Sequence, residues 1–238
     1  MPVVMMSPLG ITISGNLIKH VRQLYDRALE YLSSGNVIRQ GINGYSPDAP
    51  VAYIVAVVAV ESFVNEALLS GFARSAYNDS VLWTMPKDSI ERMELGMKLM
   101  LIPQLLFGKS FSRSSQPYQD VDLLIKVRNQ FVHHKMEGKS PKYLKALDQR
   151  RVSLALPEST NGSNDHQWVE RLSSSEGIRW AHNTVCDVIK SLYDFVPLEK
   201  TQVGPIALVN NFSPISDLHA KDWLKKRGID PESSHPSL

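Results

Sequence analysis

Residues 51–68 read VAYIVAVVAVESFVNEAL, a stretch that is apolar on nearly every side of a helical wheel. A helix greasy all round belongs at the centre of a fold, because no face of it suits water. Its unbroken part, Val51 to Val60, stops at Glu61. That is about half the ~20 residues a bilayer span needs. The run therefore predicts a buried core helix, opened by Pro50 and extending to about Ser75.

The rest of the chain has to pack around that helix. Leu17, Ile18, Val21, Leu24, Tyr25, Ala28 and Leu32 recur three and four apart, which predicts a helix over 16–32 with Gly35 as its stop. Gly41, Gly44 and Pro47 mark a loop. Shorter helices are expected at 89–101, between Pro86 and Pro103, at 118–134 after Pro117, and at 141–150. Ile178, Ala181, Val185, Val188, Ile189, Leu192 and Val196 form an amphipathic stripe, and Ser173 with Glu176 has the spacing of a capping box before it. Between these helices, RVSLALP and HQWVERL flank the turn-rich STNGSND, which suggests a β-hairpin over about 151–172. Five prolines interrupt the chain from Pro197 onward. The organisation expected is one all-α domain over 1–196, with a small β-hairpin insertion, and an irregular C-terminal tail over 197–238 holding one short helix near 216–226.

Composition narrows the function. The 238 residues carry 26 Lys+Arg against 24 Asp+Glu and a single Cys. A globally basic nucleic-acid coat is excluded, though a local basic cleft is not. One Cys excludes a disulfide scaffold and fits a reducing compartment. The N-terminus, MPVVMMSPLGITISG, has neither a basic start nor a clear small-residue cleavage site. These features predict a cytoplasmic protein without membrane contact. Neither a Gly-rich phosphate loop nor a nucleophile elbow is present, and no cofactor is expected.

Two charges sit where an apolar pattern should have none. On the 118–134 helix, Val121, Leu124, Ile125, Phe131 and Val132 share a face, with Arg128 at its middle. A buried guanidinium needs an anion, from the fold or from a ligand. On the core helix, Glu61 and Asn65 lie one turn apart on one face. The simplest expectation pairs Glu61 with Arg128, with Asn65 adding hydrogen bonds. Asn129 and His133 are also one turn apart, at the edge of the Arg128 face. A symmetric dimer crossing there would converge two copies of Arg128, Asn129 and His133. The plainer explanation is an ion pair for Arg128 and a C-terminal dipole effect for His133, His134 and Lys135.

The string RNQFVHH resembles the signature of HEPN domains (higher eukaryotes and prokaryotes nucleotide-binding): an Arg, a polar residue, and a His after four to six intervening positions. Arg128, Asn129 and His133 match it, as does His134 at one position more. VESFVNEAL resembles the buried second helix of such domains, and the likeness covers about 16–196. It implies an all-α HEPN-like bundle that dimerises through the Arg128–His134 helix. Many members are metal-independent ribonucleases of toxin–antitoxin or phage-defence systems. Carried over, Arg128 would hold the scissile phosphate of RNA. His133 would act as acid or base at the ribose 2′-OH, oriented by Asn129, with His134, Glu61 and Asn65 as supporting residues. The products would be a 2′,3′-cyclic phosphate and a 5′-OH. An antitoxin or defence protein would be the partner. Lys135 stands where members controlled by nucleotidyltransferases carry Tyr two positions after the His, which speaks against that control. Other members have lost catalysis, so the alternative is a silent dimeric module that binds a protein or a nucleotide.

A zinc site drawn from His133, His134, His166, His182 and Cys186 is the weaker reading, since Cys186 falls near an apolar face where thiols usually pack. Trp83, Trp168, Trp180 and Trp223 are too scattered to suggest a stacking platform. The basic run Lys225 to Arg227 reads as a solvated helix end.

Overall fold

A computed structural model describes residues 13–33, 39–40, 43–69, 77–133, 141–154, 167–197 and 212–232. The chain is mostly helical, as expected. Its elements are α1 (Ile13–Ser33), β1 (Arg39–Gln40), β2 (Asn43–Gly44), α2 (Ala49–Phe63), α3 (Lys87–Glu91), α4 (Leu95–Phe107), α5 (Gln116–Val132), α6 (Leu144–Gln149), α7 (Gln167–Leu172), α8 (Ser175–Phe195) and α9 (Asp217–Lys225). A π-helical turn, Val64–Leu68, prolongs α2, and Val81–Thr84 is a 3₁₀ turn. The two strands form one minimal antiparallel pair.

Four long helices make the bundle. α2 and α8 form its centre, α1 lies against both, and α5 lies against both. Side-chain contacts fix the directions. Ser14 bonds Glu66 and Arg27 reaches Asp48, so α1 runs antiparallel to α2. Tyr53 at the start of α2 meets both Phe131 near the end of α5 and Trp180 near the start of α8. Phe111, just before α5, meets Phe195 at the end of α8. α2 and α8 therefore point one way, and α1 and α5 the other.

The apolar stripes explain this packing. Val21, Leu24, Tyr25, Ala28 and Leu29 of α1 are buried, as are Ile178, Ala181, Val185, Val188, Ile189 and Leu192 of α8. The window Ala49–Glu66 is long and apolar enough, by length and composition, to cross a membrane, with half of it buried inside the bundle. That is the position expected of a core helix.

Several expected boundaries move. α4 runs through Pro103 and ends at Gly108, whose left-handed φ of 67° closes it. Pro103 forgoes the hydrogen bond its missing N–H would have made, and its ring crowds the carbonyl four residues back, yet the helix continues for another turn. The expected hairpin is absent where it can be judged. Its first arm is irregular at 152–154, and its second arm is α7, because Trp168 and Leu172 are buried at helical i,i+4 spacing. The turn at 155–166 lies outside the described residues, as do 70–76 beyond the core helix and Gly35 after α1. The cap of α8 is Ser174, one residue later than expected. Ser174 Oγ accepts from Gly177 N at 2.9 Å, while Ser173 Oγ donates back to Val169 O of α7.

The C-terminal segment 212–232 docks on the bundle through buried Ile215, Ala220 and Leu224. Asn183 clamps Ile215 by donating to its carbonyl (2.9 Å) and accepting from its N–H (2.7 Å). α9 begins at Asp217, close to the expected start, with Ser216 Oγ as its N-cap accepting from His219 N.

α6 ends unusually. Arg151 N bonds Asp148 O and Val152 N bonds Leu147 O, which is a Schellman closure with Arg151 in the left-handed slot at φ 57°. α9 closes with the same bonds around Gly228, at φ 71°. Among the described residues Arg151 alone adopts positive φ without being glycine. A Cβ in that conformation costs about 1–2 kcal/mol.

Candidate functional site

The candidate residues occupy the C-terminal end of α5. Gln116–Val132 is helical from Pro117 in its first turn to His133, which acts as its C-cap residue. Four aromatic rings hold this end in place. Phe131 stacks on Tyr53 at 5.7 Å and packs 5.5 Å from Trp168, and Tyr53 meets Trp180 edge-on at 6.4 Å. Two of the four tryptophans, Trp168 and Trp180, join this cluster because α2, α7 and α8 all present an end here, which spacing along the chain does not reveal. Trp83 and Trp223 lie elsewhere, at Tyr77 and Arg227.

Tyr53 is fully buried and donates to Leu172 O at 2.7 Å, and burial raises its phenol well above the usual range. Gly177 makes room for it, since a Cβ there would lie 1.9 Å from the Tyr53 hydroxyl.

The buried face of α5 is centred elsewhere than predicted. Val121, Leu123, Leu124 and Val127 are buried, Arg128 and Phe131 are half-buried, and Val132 is exposed. On a wheel of about 100° per residue, Arg128 stands roughly 70° from the middle of that face. Its guanidinium is therefore at the rim of the core, with Nε out of solvent and without a hydrogen-bond partner among the described residues. Asn129 and His133 are exposed on the neighbouring surface. His133 N bonds Asn129 O at 2.9 Å, which ties the two positions together through the backbone. His134 lies outside the described residues.

Glu61 does not pair with Arg128. Its partner is Lys98 of α4, with Nζ 3.5 Å from Glu61 Oε1 and 3.4 Å from Asn65 Oδ1. The bundle explains the miss. Tyr53 and Phe131 are level, and α2 and α5 run oppositely. Glu61 is about 12 Å from that level and Arg128 about 4–5 Å, in the same direction. The axial offset puts Glu61 beside α4 instead. Glu61 and Asn65 do act together, as their shared face implied, but as structural ligands of Lys98. That ammonium is 1% exposed. The signal for it was present in GMKLMLIPQLL, where Lys98 interrupts an apolar helix as Arg128 does.

No group of three His, Cys, Asp or Glu among the described residues is placed to hold a metal ion. His182 and Cys186 pack against each other, Sγ 3.7 Å from Nδ1. Burial pushes the thiol up to about 12 and the imidazole down to about 4, so both are neutral core groups at pH 7. His166 lies outside the described residues.

What remains chemically, among the described residues, is a guanidinium uncommitted to any carboxylate, an exposed amide next to it in sequence, and an exposed imidazole about 140° further round the same helix. Such a set can accept a phosphate and move a proton near it. No family model, no curated protein and no solved structure matches the chain.

Proposed function

We propose that the protein is a HEPN-like ribonuclease that works without metal or cofactor, as a cytoplasmic homodimer joined at the Arg128–His134 end of α5. One observation carries this reading: Arg128, at the rim of the core, has no anionic partner among the described residues, and Asn129 and His133 are exposed on the same helix, where a second copy crossing α5 would bring one protomer's arginine to the other's histidine.

In the proposed reaction Arg128 holds the scissile phosphate and His133, steered by Asn129, takes the proton of the ribose 2′-OH. The 2′-oxygen bonds to phosphorus and the bond from phosphorus to the 5′-oxygen breaks. The leaving oxygen takes a proton from the second imidazole of the dimer. The ends formed are a 2′,3′-cyclic phosphate and a 5′-OH. A toxin or phage-defence role, with an antitoxin or defence-system protein as partner, follows from the same reading.

The alternative is a catalytically silent module that binds a protein or a nucleotide. Purified protein incubated with RNA in EDTA separates the two. Cleavage by the wild type that is lost in both Arg128→Ala and His133→Ala supports the enzyme. Intact RNA with the wild type favours the module.

A further inference from the structure

Residues 120–151 hold eight Lys or Arg against four Asp or Glu, in a chain whose totals are 26 and 24. The described carboxylates of this stretch are already committed. Asp120 accepts from Arg150 at 2.6 Å, Asp122 from Lys126 at 2.5 Å and Asp148 from Arg171 at 2.6 Å. Lys142 and Lys145 are exposed and three residues apart at the start of α6, and Arg151 is exposed just after it. The side chains of these three make no hydrogen bond or ion pair among the described residues.

α6 is tied to α5 at both ends. The Tyr143 hydroxyl donates to Lys126 O, and Arg150 binds Asp120. The uncommitted cations are thus held beside the helix that carries Arg128, Asn129 and His133. Arg151 adds an independent observation. It occupies the left-handed closing slot that Gly228 fills for α9, while its side chain makes no hydrogen bond or ion pair among the described residues. A strained backbone position that holds a free, exposed charge points to a ligand for that charge.

We propose that Lys142, Lys145 and Arg151 form a phosphate-binding track that holds the RNA strand alongside the Arg128–His133 site. The choice of ligand rests on the nuclease reading, whereas the track itself rests on the charges and the backbone.

The test is fluorescence anisotropy of a fluorescein-labelled single-stranded oligoribonucleotide on the full chain carrying His133→Ala, which stops turnover. Binding is measured between about 50 and 200 mM salt. Each lost phosphate contact lowers the slope of log affinity against log salt by about 0.7. Lys142→Ser with Lys145→Ser should lower it by about 1.4, and Arg151→Gly by about 0.7. Arg151→Gly should also raise the melting temperature by a few degrees, so affinity falls while stability rises, which misfolding cannot produce. Lys19→Ser with Lys190→Ser, exposed on α1 and α8, should leave the slope unchanged. Unchanged slopes in the track variants, or equal losses in the Lys19 and Lys190 control, overturn the track whether or not the wild type cleaves RNA. Weaker binding by the track variants alone, with RNA left intact by the wild type, keeps the track and removes the nuclease.

Discussion

Lys98 makes the bundle vulnerable in a way that can be measured. Its ammonium is 1% exposed and its polar contacts are Glu61 and Asn65. At 3.5 Å, an effective dielectric of about 20 gives the ion pair about 5 kcal/mol of attraction. Glu61 is 39% exposed, so water screens part of it. Removing the carboxylate leaves a buried cation with one amide oxygen. Glu61→Gln should therefore cost about 2–3 kcal/mol, a loss of about 5–10 °C in melting temperature for a chain of this size. Lys98→Met fills similar volume with no charge to solvate and should stay within about 1 kcal/mol of the wild type. In the double variant Glu61→Gln adds little, because its cost arises only when Lys98 is charged beside it. Urea unfolding of the four proteins completes the cycle. A neutral Glu61→Gln, or a Lys98→Met as harmful as Glu61→Gln, would refute the argument that the buried ammonium sets the cost.

Two further outcomes follow from the core. Gly177→Ala puts a methyl group into the Tyr53 hydroxyl and should cost about 3 kcal/mol by urea unfolding, since the ring must move and its bond to Leu172 O is lost; a variant as stable as the wild type would contradict the close approach. His182, buried with Arg22 and Asp26 on the facing helix, is lowered to about 4, whereas an unfolded histidine titrates near 6.5. Protonation thus favours the unfolded chain, and stability should be unaffected above about 6.5 and fall by about 3 kcal/mol as pH drops toward 4. Burial raises Glu176, which acts in the opposite sense as it gains a proton. Comparing wild type with His182→Gln at each pH removes that contribution, and parallel curves would contradict the assignment.

What the sequence made legible was local. The core helix, the stripes of α1 and α8, Pro50 and Pro117 in first turns, and the helix after Ser216 follow from spacing within one element. Long-range partners were not legible. Glu61 and Asn65 were recognised as a pair, yet their cation lies on α4, because helix directions set the axial offset. Tyr53, Phe131, Trp168 and Trp180 are far apart in sequence and meet only at one end of the bundle. α7 was taken for a strand because Trp168 and Leu172 fit either period over so short a run. Arg128 was placed at the centre of its face, whereas buried Leu123 and Val127 rotate that face and leave the guanidinium at the rim.

The most direct measurement is the chemistry of the ends left on RNA after incubation in EDTA. Wild-type protein should yield 2′,3′-cyclic phosphate and 5′-hydroxyl ends, and Arg128→Ala and His133→Ala, each shown to fold, should yield none. RNA left whole by the wild type, or cut equally well by the two variants, would contradict the assignment of Arg128 and His133 to catalysis.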